Sequence, residues 1–162
     1  MRLFYFLVFV TLFGCSTTQD LLGPIELRQL KQKPHSKWFL AEYDYYQPAT
    51  EPIEQLKTLL KDVHIKVFMG TWCSDSHMQV PAFFKVLDAV TASDNVAIIA
   101  VNEDKKTPSG SASKNGITHV PTFIFYKNGV EITRIVESPV DFLETDMLAI
   151  LSGTAYKHTY QN

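Results

Sequence analysis

A cysteine lies where an apolar, β-branched run gives way to an amphipathic segment. The run at residues 65–69, IKVFM, has the composition of a strand. After it, apolar side chains recur at helical spacing, at Val80, Phe83, Phe84, Leu87 and Val90. Cys73 is therefore expected at a strand-to-helix turn, where the unpaired N–H groups and the dipole of the helix stabilise an anion. Such a position favours the thiolate, which is the nucleophilic form of cysteine.

The sequence of this turn is Gly70-Thr71-Trp72-Cys73-Ser74-Asp75-Ser76-His77. It resembles the active-site turn of the thioredoxin superfamily, whose usual form is Trp-Cys-x-x-Cys. Cys73 corresponds to the first cysteine of that motif, whereas Ser76 stands in place of the second. The motif is therefore Cys-x-x-Ser, and it also resembles bacterial thioredoxin-like proteins with Trp-Cys-Gly-Asp-Ser motifs.

A second stretch carries the same resemblance. Residues 115–131, NGITHVPTFIFYKNGVE, resemble the cis-proline loop, strand, Asn-Gly turn and strand of the family. Pro81 falls where thioredoxins carry a helix-kinking proline. The resemblance covers roughly residues 52–152 and implies an α/β, thioredoxin-like fold. We expect a mixed central sheet flanked by helices, with an N-terminal helical extension.

The resemblance also implies roles for individual residues. Cys73 is the expected catalytic nucleophile, and its alternative is a buried structural cysteine. Ser76 is the second catalytic candidate, because its hydroxyl can donate to the thiolate; an ordinary first-turn serine would instead satisfy backbone donors. Trp72, Val120 and Pro121 are the expected substrate-binding residues, with Pro121 in the cis form beside Cys73.

Two departures from the family pattern constrain the chemistry. Ser76 cannot attack a mixed disulfide, so the intermediate formed at Cys73 must wait for an outside thiol. Val67 stands six residues before the cysteine, where many thioredoxins carry a buried acid that assists proton transfer. Asp75 could replace that acid, or it could simply be a solvated side chain of the turn. A monothiol mechanism is expected.

Two functions from different classes follow. The first is an envelope-anchored, monothiol thioredoxin-like thiol-disulfide oxidoreductase or isomerase. Its partners would be protein or low-molecular-weight thiols and disulfides, together with an external reductant. The alternative is a redox-inactive thioredoxin-fold binding lipoprotein that holds a partner in its cis-proline groove or on an aromatic helix.

The N-terminus has the layout of a secretory signal peptide over residues 1–14, with Arg2 before a short apolar run. Leu12-Phe13-Gly14-Cys15 resembles a bacterial lipobox, which implies cleavage before Cys15 and lipidation of its sulfur. An uncleaved anchor, or a cleaved signal with a spectator cysteine, is the alternative. Ser16 after the cysteine favours the outer membrane, with the domain facing the periplasm.

Composition excludes several other classes. The chain has 162 residues, 46% of them hydrophobic, which suits one globular domain with tails. Its 15 basic and 17 acidic residues form no basic cluster or stripe, so no nucleic-acid partner is expected. Two cysteines are too few for a disulfide framework. His77 and His119 could contribute to a metal site, but solvated histidines are the simpler interpretation, and we expect no metal or cofactor.

The rest of the chain divides by local pattern. Residues 15–34 are polar, are broken by Gly23-Pro24 and are predicted to form a tether that contains a short helix from Ile25 to Leu30. Residues 35–51 are predicted to form an N-terminal helical extension. Within it, residues 35–47 carry an aromatic stripe at helical spacing and are predicted to form a helix packed on the domain, with an exposed aromatic patch as the alternative. The thioredoxin-like domain is predicted at residues 52–162. Its last helix is predicted to start at Ser138, with Val140 on its buried face.

Overall fold

The strands form one sheet. The computed structural model describes residues 20–161. Its strands are β1 (Gly23–Ile25), β2 (Val63–Met69), β3 (Val96–Ala100), β4 (Thr122–Lys127) and β5 (Val130–Val136). They lie in the order β1-β3-β2-β4-β5. β2 and β3 are parallel, and every other neighbouring pair is antiparallel. The predicted mixed central sheet is confirmed.

Six α-helices and one short 3-10 helix (Ser93–Asn95) accompany the sheet in the described part of the chain. The α-helices are α1 (Leu27–Leu30), α2 (Ser36–Tyr45), α3 (Thr50–Leu59), α4 (Ser74–Ala89), α5 (Ser111–Lys114) and α6 (Leu143–Leu151). α4 is the crossover that a parallel β2–β3 pair requires. Pro81 lies inside α4, as the resemblance implied. None of the helices within residues 20–161 has the length and apolar character needed to cross a bilayer.

The central strand β2 is packed on both faces. Val63, Ile65 and Val67 point into the larger core cluster, to which α2, α3, α4 and α6 contribute. Phe68 points the other way, into a smaller cluster with Ile124, under the segment that contains α5. Side chains alternate between the faces of a strand, so both clusters are fixed by the register of β2. Cys73 belongs to the smaller cluster.

The first described residues differ from the predicted tether. β1 pairs with β3 along the sheet edge, with Pro24 opposite Ile99. Leu30 is fully buried in the larger cluster. Residues 20–34 are therefore part of the fold, and the tether prediction does not hold for them. Residues 15–19 of the predicted tether, Cys15 among them, and the predicted signal peptide lie outside the described residues.

The predicted aromatic helix is α2, and its stripe packs on the domain. Phe39 is fully buried, and its ring centre lies 6.5 Å from that of Phe84 on α4. The Tyr43 hydroxyl donates to Asp88 at 2.6 Å; burial, followed by this hydrogen bond, raises the pKa of Tyr43 to about 12. Tyr45, off the stripe, is 82% exposed. The packed-helix prediction is confirmed.

The last helix begins later than predicted. Phe142 precedes the first residue of α6, so Ser138 is not the N-cap. The reason is Asp146, a buried carboxylate that accepts hydrogen bonds from the N–H groups of Val140 at 2.7 Å and Asp141 at 3.3 Å. These bonds hold residues 138–142 as an irregular segment, in which Val140 is 63% exposed rather than buried.

Candidate functional site

Cys73 lies at the strand-to-helix turn, directly before α4. Its N–H donates to the carbonyl of Gly70 at 3.1 Å, which closes the turn after β2. Its own carbonyl accepts the first helical hydrogen bond, from His77 N–H at 3.1 Å. Cys73 is thus the N-cap residue of α4, with extended backbone angles (φ −90°, ψ 124°). The sulfur is carried at the end of the helix where the dipole is positive.

The sulfur faces the cis-proline loop. The Val120–Pro121 peptide bond is cis, and the Cys73 thiol donates to the Val120 carbonyl with an Sγ–O distance of 3.2 Å. The prediction that Pro121 is cis and lies next to Cys73 is confirmed. This hydrogen bond belongs to the protonated thiol, because a thiolate has no proton to donate.

Ser76 lies beneath the turn rather than at its surface. It is fully buried, and its Oγ accepts a hydrogen bond from Gly70 N–H at 3.2 Å. Among the hydrogen bonds of residues 20–161, none joins Ser76 to the Cys73 sulfur. The structure therefore assigns Ser76 the backbone-satisfying role. Its predicted catalytic role stays a prediction.

Trp72 is held in one orientation by two neighbours. Its Nε1–H donates to the carbonyl of Val101 at 3.0 Å. The indole also lies against Gly70, where an added Cβ would be 2.5 Å from Cε2 of the ring. That distance is far below van der Waals contact, so Gly70 is required for the close approach of the indole.

A cleft of about 320 Å³ opens beside the sulfur. Its lining residues are Trp72, Cys73, Ser74, Asp75, Lys105, His119, Val120 and Glu137. Three of the predicted site residues, Trp72, Cys73 and Val120, therefore share one cleft, whereas Ser76 packs below it. Cys73 itself is only 9% exposed. The cleft is therefore bordered by a cysteine that is largely buried.

Two charged residues of the cleft were not identified from the sequence. Lys105 lies on the Trp72 side, with Nζ 5.5 Å from the centre of the indole ring. Glu137 follows β5, has a left-handed backbone (φ 60°), and its N–H donates to the Pro121 carbonyl at 2.7 Å. In the sequence both look like ordinary polar residues between elements. Nothing in their local pattern indicates that the chain brings them to the cysteine.

The two histidines near the motif have separate partners. His77 Nε2 hydrogen-bonds to the carbonyl of Thr71 at 2.7 Å, and its ring stacks on Trp38 with 4.2 Å between ring centres. His119 instead stacks on Tyr160 at 3.9 Å. Within residues 20–161, no group of three or more His, Cys, Asp or Glu side chains is placed to hold a metal ion.

The comparison with protein families agrees with this geometry. The Thioredoxin family model matches residues 52–147, which is more than half of the chain. The chain belongs to the thioredoxin family. The matched range includes the Cys73 turn and the cis-proline loop.

Individual relatives match a shorter part. Over 69 residues, or 43% of its length, this chain is 39% identical to Thioredoxin of Malassezia sympodialis and 33% identical to Thioredoxin-2 of Saccharomyces cerevisiae. These alignments span 63% and 62% of the two relatives, a little under two thirds of their length. A protein of unknown function from Pseudomonas aeruginosa has a similar structure, with a TM-score of 0.55 and 16% identity over 74% of this chain and 82% of that one. At that identity the likeness concerns the fold alone.

Gly70→Ala tests the packing of the turn. The new methyl group must displace the Trp72 indole and break its hydrogen bond to Val101, because the ring occupies the space of the Cβ. We expect the free energy of unfolding to fall by about 1–3 kcal/mol, as for other overpacked sites. In NMR spectra the indole N–H signal of Trp72 should shift and exchange faster. The chain has two tryptophans, so the Trp38 signal is an internal control; an unchanged Trp72 signal would contradict the packing described.

Proposed function

We propose that the protein is a monothiol thiol-disulfide oxidoreductase or isomerase with Cys73 as its nucleophile. The observation that carries the proposal is the position of Cys73 Sγ, at the N-terminus of α4 and 3.2 Å from the carbonyl that precedes the cis proline. The helix end favours the negative charge of an attacking thiolate. Membership of the thioredoxin family supports the same class of reaction.

The reaction is a series of thiol-disulfide exchanges. The Cys73 thiolate attacks one sulfur of a substrate disulfide, a mixed disulfide forms, and the other sulfur leaves as a thiolate. In isomerisation, another cysteine of the substrate attacks the substrate sulfur of the mixed disulfide, which forms a new substrate disulfide and releases the Cys73 thiolate. In reduction, a thiol of an external reductant attacks the Cys73 sulfur and releases the substrate as a dithiol. A second thiol of the reductant then attacks the new mixed disulfide, which frees Cys73 and leaves the reductant oxidised to a disulfide.

Two observations support a second step that uses a thiol from outside this chain. Cys73 is the one cysteine within residues 20–161, and the position one helical turn on is occupied by Ser76. Val67 is fully buried and apolar, so it offers no base for activating a second thiol. The expected substrate-binding residues are Trp72, Val120 and Pro121, which flank the sulfur. A protein disulfide or a small-molecule disulfide could approach along this open side of the cleft.

The redox-inactive binding protein is the second candidate. The observation that favours it is the 9% exposure of Cys73, since inert structural cysteines are usually buried. In that case the cleft would bind a partner without forming a covalent bond. The two candidates differ in whether the folded protein reacts with disulfides.

We also propose an envelope location, with residues 1–14 removed and Cys15 lipidated. The support is the sequence Leu12-Phe13-Gly14-Cys15 after an apolar run. Five peptide steps separate Cys15 from Asp20, so their Cα atoms can be at most about 18 Å apart. Asp20 in turn accepts a hydrogen bond from Thr71 of the active-site turn at 2.9 Å. A lipid on Cys15 would therefore keep this side of the domain near the membrane surface.

Ser76→Cys tests the monothiol mechanism. Every protein compared carries Cys15→Ser, so that Cys73 is the only natural thiol. We expect the parent to accumulate a mixed disulfide with a protein disulfide substrate until external thiol is added. Ser76→Cys should release the substrate and form an internal disulfide, because a thiol one helical turn on can reach the attacked sulfur. Intact mass spectrometry distinguishes the species.

Ser113→Cys is the matched control, because it adds a thiol at an exposed position of α5 on the other side of the sheet from α4. It should behave like the parent. Release by the parent without added thiol would contradict the monothiol mechanism, and so would a Ser76→Cys protein that neither releases substrate nor forms the bridge.

The intact mass of protein extracted from bacterial membranes tests the anchor. We expect a chain that begins at Cys15 and carries acyl chains, because the apolar run and the lipobox-like sequence direct cleavage and lipidation there. Cys15→Ala should leave the chain unprocessed. A mature mass without acyl chains, or a Cys15→Ala protein that is still processed and membrane-bound, would disprove the anchor.

A further inference from the structure

Lys105 is the cation of the cleft that contains Cys73. Its side chain is half-buried, and Nζ lies 5.5 Å from the centre of the Trp72 ring. A cation over the face of an indole is attracted by the negative face of the ring system. In residues 20–161 no carboxylate lies within salt-bridge distance of this ammonium group. The charge is therefore held in the same cleft as Cys73 without a permanent anionic partner.

The loop around Lys105 fixes this position. Lys105 has a left-handed backbone (φ 58°), which is unfavourable for residues other than glycine. Three hydrogen bonds to Asn102 hold the turn: Lys105 N–H donates to its carbonyl at 2.9 Å, Lys106 N–H donates to its Oδ1 at 2.8 Å, and Asn102 N–H donates to the Lys106 carbonyl at 3.1 Å. The neighbouring Lys106 is exposed and lies 3.6 Å from Asp104. Two adjacent lysines thus have different surroundings.

The other end of the cleft is acidic. Glu137 accepts a hydrogen bond from the Tyr160 hydroxyl. That hydrogen bond first, then burial, and then the charges of Glu137 and Asp75 raise the pKa of Tyr160, and both carboxylates line the cleft. Tyr160 stacks on His119, which places this group on the cis-proline side of the sulfur. The cleft therefore has a cation on the Trp72 side of Cys73 and carboxylates on the other.

We propose that Lys105 makes the site selective for disulfides that carry a carboxylate close to the sulfur that Cys73 attacks. The inference rests on the proposed function, because it needs a Cys73 that reacts with disulfides. The Cys73 thiolate forms the new S–S bond, and the second substrate sulfur leaves with the electron pair of the old bond. Lys105 transfers no proton; its ammonium group pairs with the substrate carboxylate. Acidic peptides and small carboxylate-bearing disulfides share this chemistry.

Three small disulfides of different charge test the inference. The probes are 5,5′-dithiobis(2-nitrobenzoate), a dianion, 2,2′-dithiodipyridine, which is neutral, and cystamine, a dication. Second-order rate constants are measured on the full chain in non-ionic detergent, with Cys15→Ser in every protein. The variants are Lys105→Met, which keeps the length and removes the charge, Lys105→Arg, which keeps the charge, and Lys106→Met as the matched control.

We expect Lys105→Met to lower the rate constant for the dianion about two- to fivefold relative to that for the neutral probe. A loss of this size corresponds to the free energy of a partly exposed ion pair. The same variant should raise the rate constant for cystamine relative to that for the neutral probe. Lys105→Arg and Lys106→Met should keep the parent ratios. Salt of about 1 M should reduce the ratios toward those of Lys105→Met, because the Debye length is then only about 3 Å. The neutral probe corrects for any effect on the thiol itself.

The outcomes separate the two claims. If the native parent reacts with none of the probes while the unfolded chain does, the proposed function fails and the inference fails with it. If the parent reacts but Lys105→Met changes all three rate constants by one factor, or changes none, the function stands and the selectivity of Lys105 is disproved. An equal change in Lys106→Met would also disprove it, because the effect would then be one of overall charge. Acidic and basic peptide disulfides of equal length extend the test to larger substrates.

Discussion

The contact between the Cys73 sulfur and the Val120 carbonyl depends on the pairing of β2 with β4. Phe68, near the end of β2, is opposite Thr122 at the start of β4. Antiparallel pairing therefore puts the turn after β2 beside the loop before β4, and the 3.2 Å contact joins the two. A slip by one residue would exchange the faces of β2 and remove both core clusters. The core and the site are thus fixed by the same register.

The turn is supported from below and from the side. Ser76 satisfies the buried N–H of Gly70, and the indole of Trp72 occupies the space that a side chain at residue 70 would need. The first described residues also stabilise the turn, because Thr71 Oγ1 donates to Asp20 and accepts from Leu21 N–H at 3.1 Å. The extension before the family-matched range is therefore in direct contact with the site. These contacts fix the backbone of the turn that carries the thiol.

Much of this could be predicted from the sequence, because the signals are local. The apolar run before Cys73, the helical spacing after it and the Asn128-Gly129 turn depend on short-range pattern; both turn residues have the positive φ that such hairpins need. What could not be predicted depends on contacts distant in sequence. β1 is a three-residue edge strand with a Gly-Pro pair, which looks like a loop until β3 is beside it.

The positions of the charged side chains also could not be predicted from local sequence pattern. Asp146 is buried in α6 because three donors converge on it: two from residues 140 and 141, and the Tyr156 hydroxyl at 2.7 Å. Lys105 reaches the Trp72 ring because a turn held by Asn102 directs it there. An isolated lysine or aspartate in a sequence indicates neither event, since most such residues are solvated. Only the folded chain shows which charges are near the thiol.

The most direct test of the central claim is the rate at which Cys73 is alkylated by iodoacetamide in the folded Cys15→Ser protein, compared with the same protein unfolded in urea. A nucleophile stabilised at a helix end should react, near neutral pH, at least as fast as the unfolded chain. A buried, inert cysteine would react only through unfolding, slower by a factor of about 10³ or more. Protection of that size, lost in parallel with global unfolding, would contradict the account and favour the redox-inactive binding protein.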